Sequence, residues 1–274
     1  MQLSSIVIAI DSISGSQQVV QAAAELAYRS GAELTAIFIE DDDWFKASRL
    51  SFSYQISSFS GELIPFDEIQ MLEQAKAHSS LLERMVVKCT SKMNIKYKYH
   101  SARGSVIREL MGATEGKDLI IIGRNRHPDG SRAKIGRTAR FLAENCTIPV
   151  MIWNSRSEWP GRITGIVKTS GSGEKQKVME WTSGLARFLK RNAEIVTMED
   201  SETGMRLENL YRESDSISRG LYRSPVKFDQ KTDAINPEML GRDRNRLLIM
   251  ERARDKKGLS EVDLTGFPNT VLLL

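Results

Sequence analysis

Four stretches from the first half of the chain return, in the same order, in the second half. IVIAIDSISGS from Ile6 is echoed by ITGIVKTSGSG from Ile163, and GAELTAIFIED from Gly31 by NAEIVTMED from Asn192. DLIIIGR from Asp118 is answered by RLLIMER from Arg246, and IPVMIW from Ile148 by NTVLLL from Asn269. Ordered self-similarity of this kind restricts the chain to two copies of one folding unit. Each repeated stretch is a short apolar run ended by a charge or a glycine, which is how a strand buried on both faces reads. The polar segment Asn154–Gly161, NSRSEWPG, carries a Pro–Gly pair and marks the boundary. The expected units are therefore residues 1–156 and 157–274.

Within the first unit, Ile6–Ile10 is followed by Asp11, a helical pattern over Gln17–Arg29, a stop at Gly31 and a second strand, Ala32–Ile39. A β–α–β opening predicts a parallel sheet with helices on both faces, and ligands beyond the carboxyl ends of its strands. Trp44 to Glu68 is a long connection rich in aromatics: Trp44, Phe45, Phe52, Tyr54, Phe59 and Phe66. Connections of that length are functional or have structure of their own, so a lid, a packed helical insertion and a subunit contact are all admissible. Ile69–Lys88 reads as a helix; its His78 has no cysteine or acid at a metal-ligand spacing. Ile95–His100 alternates as a strand with one wet face, and Arg103–Gly104 turns into a helix with Ile107, Leu110 and Met111 inward.

The stretch Asp118–Trp153 carries the chemistry. The apolar run Leu119–Ile122 ends at Gly123, a loop follows to Ile135, and Gly136 opens a helix, Arg137–Asn145, before a strand at Pro149–Trp153. Arg124, Arg126, Arg132, Lys134, Arg137 and Arg140 cluster there against the single acid Asp129. Strand, glycine turn, basic loop and helix N-terminus together suit an anion, because free amides and the positive end of the helix dipole face it. A solvated basic loop between two core elements would read the same way.

Gly123, two residues, position 126, nine residues, Gly136 resembles the nucleotide loop of the universal stress protein family, whose pattern is Gly, two residues, Gly, nine residues, Gly and Ser or Thr. The ending NCTIPVMIW, with Cys146 and Pro149, is also similar to that family's last strand. The resemblance implies two tandem doubly wound, parallel five-stranded α/β sheets of the adenine nucleotide alpha-hydrolase type. It further implies a cofactor, ATP or AMP, held by Asp11 and Ser12 after the first strand, Ile39 lining the adenine pocket, and Gly104 beside the ribose and phosphates. Gly123, Arg124, Arg126, Gly136, Arg137 and Thr138 would surround the phosphates. Asp11 read without the resemblance is a cap on the turn that follows it. Arg126 replaces the family's middle glycine and Arg137 its hydroxyl residue, with Thr138 one place later. These arginines either take over the phosphate by side-chain contact or close the site.

In the second unit Lys168 stands where Asp11 stood and Glu251 where Gly123 stood, and the stretch from Glu251 to Thr270 is too short for the glycine-spaced loop. A degenerate second unit, facing a partner or the first unit, is expected. The resemblance implies contact between the two units through the final strands, Pro149–Trp153 and Thr270–Leu274, which are apolar and would otherwise leave exposed edges. A homodimer of whole chains is a further expectation.

Composition narrows the function classes. With 39 basic and 35 acidic residues the net charge is only +4 and the pI about 9.0, and neither basic cluster, 124–140 or 242–257, interleaves aromatics to stack bases. Nucleic acid is disfavoured as a partner. The apolar runs are short of the ~18–20 residues of a membrane span, MQLSSIVIAID lacks a basic leader region, and Cys89 and Cys146 do not make a disulfide framework, so a cytoplasmic protein is expected. No GxSxG, HExxH, Walker lysine or Ser-Gly-Gly-x-Asp-Ser loop is present; SISGS at 12–16 matches the last only in composition. The leading expectation is a non-catalytic stress-response protein that binds an adenine nucleotide in its first unit. One rival has the same fold, without nucleotide, working through protein contacts; another, a slow ATP hydrolase, lacks a visible general base.

Overall fold

The computed structural model describes residues 1–11, 13–50, 54–57, 60–65, 68–124, 135–154, 158–168, 172–198, 221–223, 245–252 and 269–274. The first half runs β1 (Ser5–Ile10), α1 (Ile13–Ser30), β2 (Glu33–Asp41), α2 (Asp42–Ser48), β3 (Tyr54–Ile56), β4 (Leu63–Pro65), α3 (Glu68–Thr90), β5 (Tyr97–Gly104), α4 (Val106–Ala113), β6 (Leu119–Gly123), α5 (Arg137–Asn145) and β7 (Val150–Trp153). The second continues with β8 (Arg162–Lys168), α6 (Ser172–Leu189), β9 (Asn192–Met198), β10 (Leu221–Arg223), β11 (Arg246–Met250) and β12 (Thr270–Leu273).

Ten of these strands form one sheet in the order β10-β9-β8-β11-β12-β7-β6-β1-β2-β5. Every neighbouring pair is parallel except β12 with β7, where Val271 faces Ile152 and Leu273 faces Val150 in antiparallel register. The two sheets expected from the repeat are thus fused along one seam through the final strands. Both strands of the seam are fully buried, so neither half exposes the edge it would have alone. Asn154 N–H donates to Thr270 Oγ1 at the end of the seam (3.2 Å), and Arg252 donates from its guanidinium to the carbonyls of Cys146 and Ile148 across it.

The sheet is covered on both faces because its central strands β1, β6, β7, β11 and β12 are apolar at nearly every position, not at alternate ones. Ile6, Ile8 and Ile10 of β1 join one core cluster with α1, α3 and α6, while Val7 joins the other with Leu110 of α4 and Leu142 and Ala143 of α5. Register between β1 and β6 is pinned at the amino end by Asp118, whose Oδ2 accepts from the N–H groups of Ser4 and Ser5, each at 2.8 Å. Trp159, just past the seam, is buried, stands edge-on to Trp153 (centroids 4.8 Å apart) and donates from Nε1 to the Ala22 carbonyl (3.1 Å).

Local boundaries shift for identifiable reasons. The first helix begins at Ile13, before the expected Gln17, and ends where Gly31 takes φ +76°. The strand read as Ile95–His100 forms over Tyr97–Gly104, because β2 offers eight consecutive partners as far as Asp41. The long connection holds α2 and a two-stranded hairpin, β3–β4, separate from the main sheet.

Candidate functional site

β1 has β2 on one side and β6 on the other, so chain direction across the sheet reverses there. Such a reversal opens a crevice beyond the carboxyl ends of the two strands, and in parallel sheets ligands sit in it. Asp11 lies at the end of β1 and Gly123 at the end of β6. Ile39 lies near the end of β2 beside Ala102, and Gly104 ends β5 opposite Asp41. Asp11, Ile39, Gly104 and Gly123 therefore lie toward one edge of the sheet.

The Asp11 side chain is exposed, and its backbone is held from two sides. Its N–H donates to Ser16 Oγ (3.3 Å), that hydroxyl donates back to Oδ1 (3.5 Å), and His78 Nε2 lies 3.1 Å from the Asp11 carbonyl. Ser16 itself is buried. This is the turn-capping role open to Asp11 in the sequence, and it engages Oδ1 of an otherwise exposed side chain. His78 also lies against the Phe38 ring, centroids 5.3 Å apart, which ties α3 to the ends of β1 and β2.

α2 closes the β2–β5 side. Phe45 is buried, and the Arg103 guanidinium sits 4.0 Å over its ring while pairing with Glu40 at 2.7 Å. A cation–π contact on a paired arginine anchors the helix at this edge. Of the six aromatics in the long connection, Phe45 packs here and the Tyr54 side chain is exposed; the Trp44 side chain, Phe52, Phe59 and Phe66 lie outside the described residues.

On the β6 side a side chain at Gly123 would bring its Cβ within 3.3 Å of Val19 Cγ2, so glycine keeps this backbone close to α1. A Cβ at Gly104 would come within 2.9 Å of Glu109 Oε1. Arg124 follows Gly123 and is only 5% exposed; its N–H donates to the Trp153 carbonyl (2.9 Å), and burial lowers its guanidinium pKa to about 10. Gly136 is the N-cap of α5 and, as a glycine, makes no side-chain capping bond. Arg137 is exposed in the first turn and Thr138 half-buried behind it. Ser12, Arg126, Arg132 and Lys134 lie outside the described residues.

The same edge of the second half has other chemistry. Lys168 ends β8 opposite Met198, and Glu251 follows β11. Arg252, the sequence counterpart of Arg124, makes the matching backbone bond, N–H to the Leu274 carbonyl at 3.3 Å. Among the described residues no group of three or more His, Cys, Asp or Glu comes together as a metal site would.

Two contacts escape the sequence. His78 reaches Asp11 from 67 residues away, and Arg103 meets Phe45 across two strands; no local pattern encodes either. Arg252 did leave a signal, in the alignment of IMER with IIGR, although that alignment does not point to the carbonyls of Cys146 and Ile148 as its acceptors.

The model of the universal stress protein family matches residues 3–154. The chain belongs to the universal stress protein family. Solved structures agree on the fold of this member. A universal stress protein from Archaeoglobus fulgidus DSM 4304 superposes with a TM-score of 0.72 at 13% identity, over 100% of this chain and 98% of that one. A functionally unknown protein from Pseudomonas aeruginosa PAO1 gives 0.63 at 16% identity, over 99% and 92%. No curated protein sequence matches this universal stress protein. No helix among its described residues is long and apolar enough to cross a membrane.

Proposed function

We propose that this universal stress protein is a non-catalytic, cytoplasmic stress-response factor that binds an adenine nucleotide, ATP or AMP, in residues 1–156. Residues 157–274 form a degenerate tandem copy that serves contacts and not a ligand. The reading rests on one observation: Asp11 follows β1 and Gly123 ends β6, neighbouring parallel strands on the two sides of the reversal.

The residues at hand suit the ligand. Asp11 keeps a carboxylate oxygen for the amino group of adenine, and Ile39 is half-buried at the end of β2, where an apolar wall is needed. Gly123 leaves the backbone bare beside the phosphates, and the free amides of α5, with the exposed Arg137, offer positive charge to them. A charge-assisted bond from a guanidinium contributes about 1.5–3 kcal/mol, against the ~8 kcal/mol behind a micromolar affinity. The site accordingly prefers polyphosphate to free adenosine and weakens as salt is added.

Titration calorimetry with ATP, AMP and adenosine tests this. The expected order is ATP tightest, with adenosine at least about tenfold weaker, and Asp11→Ala weakening all three. Tighter ATP binding in Arg126→Gly with Arg137→Ser would make the arginines a gate, and lost binding would make them ligands. The absence of heat with all three compounds in both proteins would overturn the proposal in favour of an interaction module.

A further inference from the structure

β1 runs out just before Asp11. The last ladder pairs are Ile10 with Phe38 on the β2 side and Ala9 with Ile122 on the β6 side, so Asp11 lies past both. A side chain from α3 meets its carbonyl, His78 Nε2 at 3.1 Å. A carbonyl oxygen only accepts, so the ring carries a proton on Nε2 and donates it. Three other contacts set where His78 stands. Leu82, one turn further along α3, is buried in the core beside Met85 and Val86. The imidazole itself lies against Phe38 of β2, centroids 5.3 Å apart. Tyr99 of β5 donates its hydroxyl to the carbonyl of the next residue, Ser79, and lies 3.0 Å from the Ser79 hydroxyl. The donor is thus fixed from β2, from β5 and from the core.

We propose that His78 is a positioning residue of the nucleotide site, fixing the turn that presents the Asp11 carboxylate to adenine. The inference rests on the nucleotide reading given above and adds the residue that tunes its adenine end. A carboxylate recognises a purine edge by direction as well as by charge, and a residue past its last ladder pair keeps its direction only if its backbone is held. Ser16 holds the N–H side of Asp11 from within the turn (3.3 Å), and His78 holds the carbonyl side from a separate element. Order already present in the free protein lowers the ordering cost of binding.

Position assigns His78 to the base and not to the phosphates. Phe38, which it touches, is in β2, whereas Gly123 is in β6, on the other side of β1. Packing alone does not account for a histidine here. A phenylalanine or leucine would continue the buried stripe of α3 beside Phe38 equally well, without a donor for the turn.

Calorimetric titration of the full chain with adenosine, AMP and ATP tests the inference. His78→Phe keeps a ring beside Phe38 and removes the donor. It should weaken all three compounds alike, about three- to tenfold, as the loss of one neutral hydrogen bond does. His78→Leu makes the same comparison with a smaller side chain. His78→Gln, whose amide nitrogen takes the place of Nε2, should recover most of the lost affinity. Asp11→Ala combined with His78→Phe should bind no more weakly than Asp11→Ala alone, because His78 acts through Asp11. Wild-type affinity in His78→Phe, a loss that grows from adenosine to ATP, or losses that add in the double variant overturns the inference and leaves nucleotide binding standing. A wild type that binds none of the three compounds overturns both readings together.

Discussion

The carboxyl edges of the two half-sheets share a topology and differ in chemistry. Around the seam the orders β7-β6-β1-β2-β5 and β12-β11-β8-β9-β10 correspond strand by strand. Yet β1 is followed by Asp11 and β8 ends in Lys168; β6 ends in Gly123 and β11 is followed by Glu251. The difference separates two demands on one sequence. Strand interiors answer to burial, which any apolar residue of suitable size satisfies, whereas strand ends answer to what meets them. The arginine one place further on, Arg124 or Arg252, is common to both halves. Arg252 shows a use for it that needs no ligand, since it holds the turn before β7 from across the seam.

The contrast is easiest to break at Trp159, which follows the boundary yet contacts Trp153 and Ala22 of the first half. Trp159→Ala removes the edge-on contact with Trp153 and leaves the Ala22 carbonyl without its indole donor. A loss of about 3–5 kcal/mol is expected in chemical denaturation. Arg252→Met takes two donors from the carbonyls of Cys146 and Ile148 and should cost about 1–3 kcal/mol. Hydrogen exchange should then speed up at both seam strands while the amides of β1 and β2 stay protected. Unchanged exchange at β7 and β12 would show that pairing alone holds the seam.

Gly104→Ala tests whether the first half's edge is as shape-restricted as it looks. Glu109 must swing away from the new Cβ, and at φ +158° an alanine is strained, so about 1–2 kcal/mol should be lost.

The smallest effect is a pH dependence confined to α3. Burial pushes the Cys89 thiol above its usual value of 9.0, against a smaller opposing pull from Lys88. The folded state then holds this proton more tightly than the unfolded one. The stability it contributes is complete below about pH 9 and is lost as pH rises through the folded value. Cys89→Ala should flatten the fall in stability above pH 9, and alkylation of Cys89 should lag a free thiol there. An unchanged slope would mean that other groups set it.

Much of the fold was legible in the residues because parallel strands buried on both faces need unbroken apolar runs. Ile6–Ile10, Leu119–Ile122 and the two final strands announce themselves in this way, and their repetition revealed the order of the elements. Where periodicity was the only guide, boundaries slipped: Gln17 for Ile13 at the first helix, and Ile95–His100 for Tyr97–Gly104 at the fifth strand. In each case neighbours outside the local window decided the ends. Of the candidate site, Asp11, Ile39 and Gly123 could be named from the chain because they end apolar runs, and Gly104 and the ligand roles because the family resemblance implied them. That Asp11 leans on His78, and Arg103 on Phe45, could not, since those contacts join residues far apart in sequence.

The sequence by itself determined the apolar strands, their two-fold repetition and the loss of Asp and Gly at the second edge, since these depend on burial and on local backbone freedom, but not β3, β4 or β10. Only the tertiary structure decided that the halves share one ten-stranded sheet, that Arg252 reaches across its seam and that Ile56 and Leu63 face water. Those outcomes depend on which surfaces meet, and the free energy of a meeting belongs to both surfaces at once.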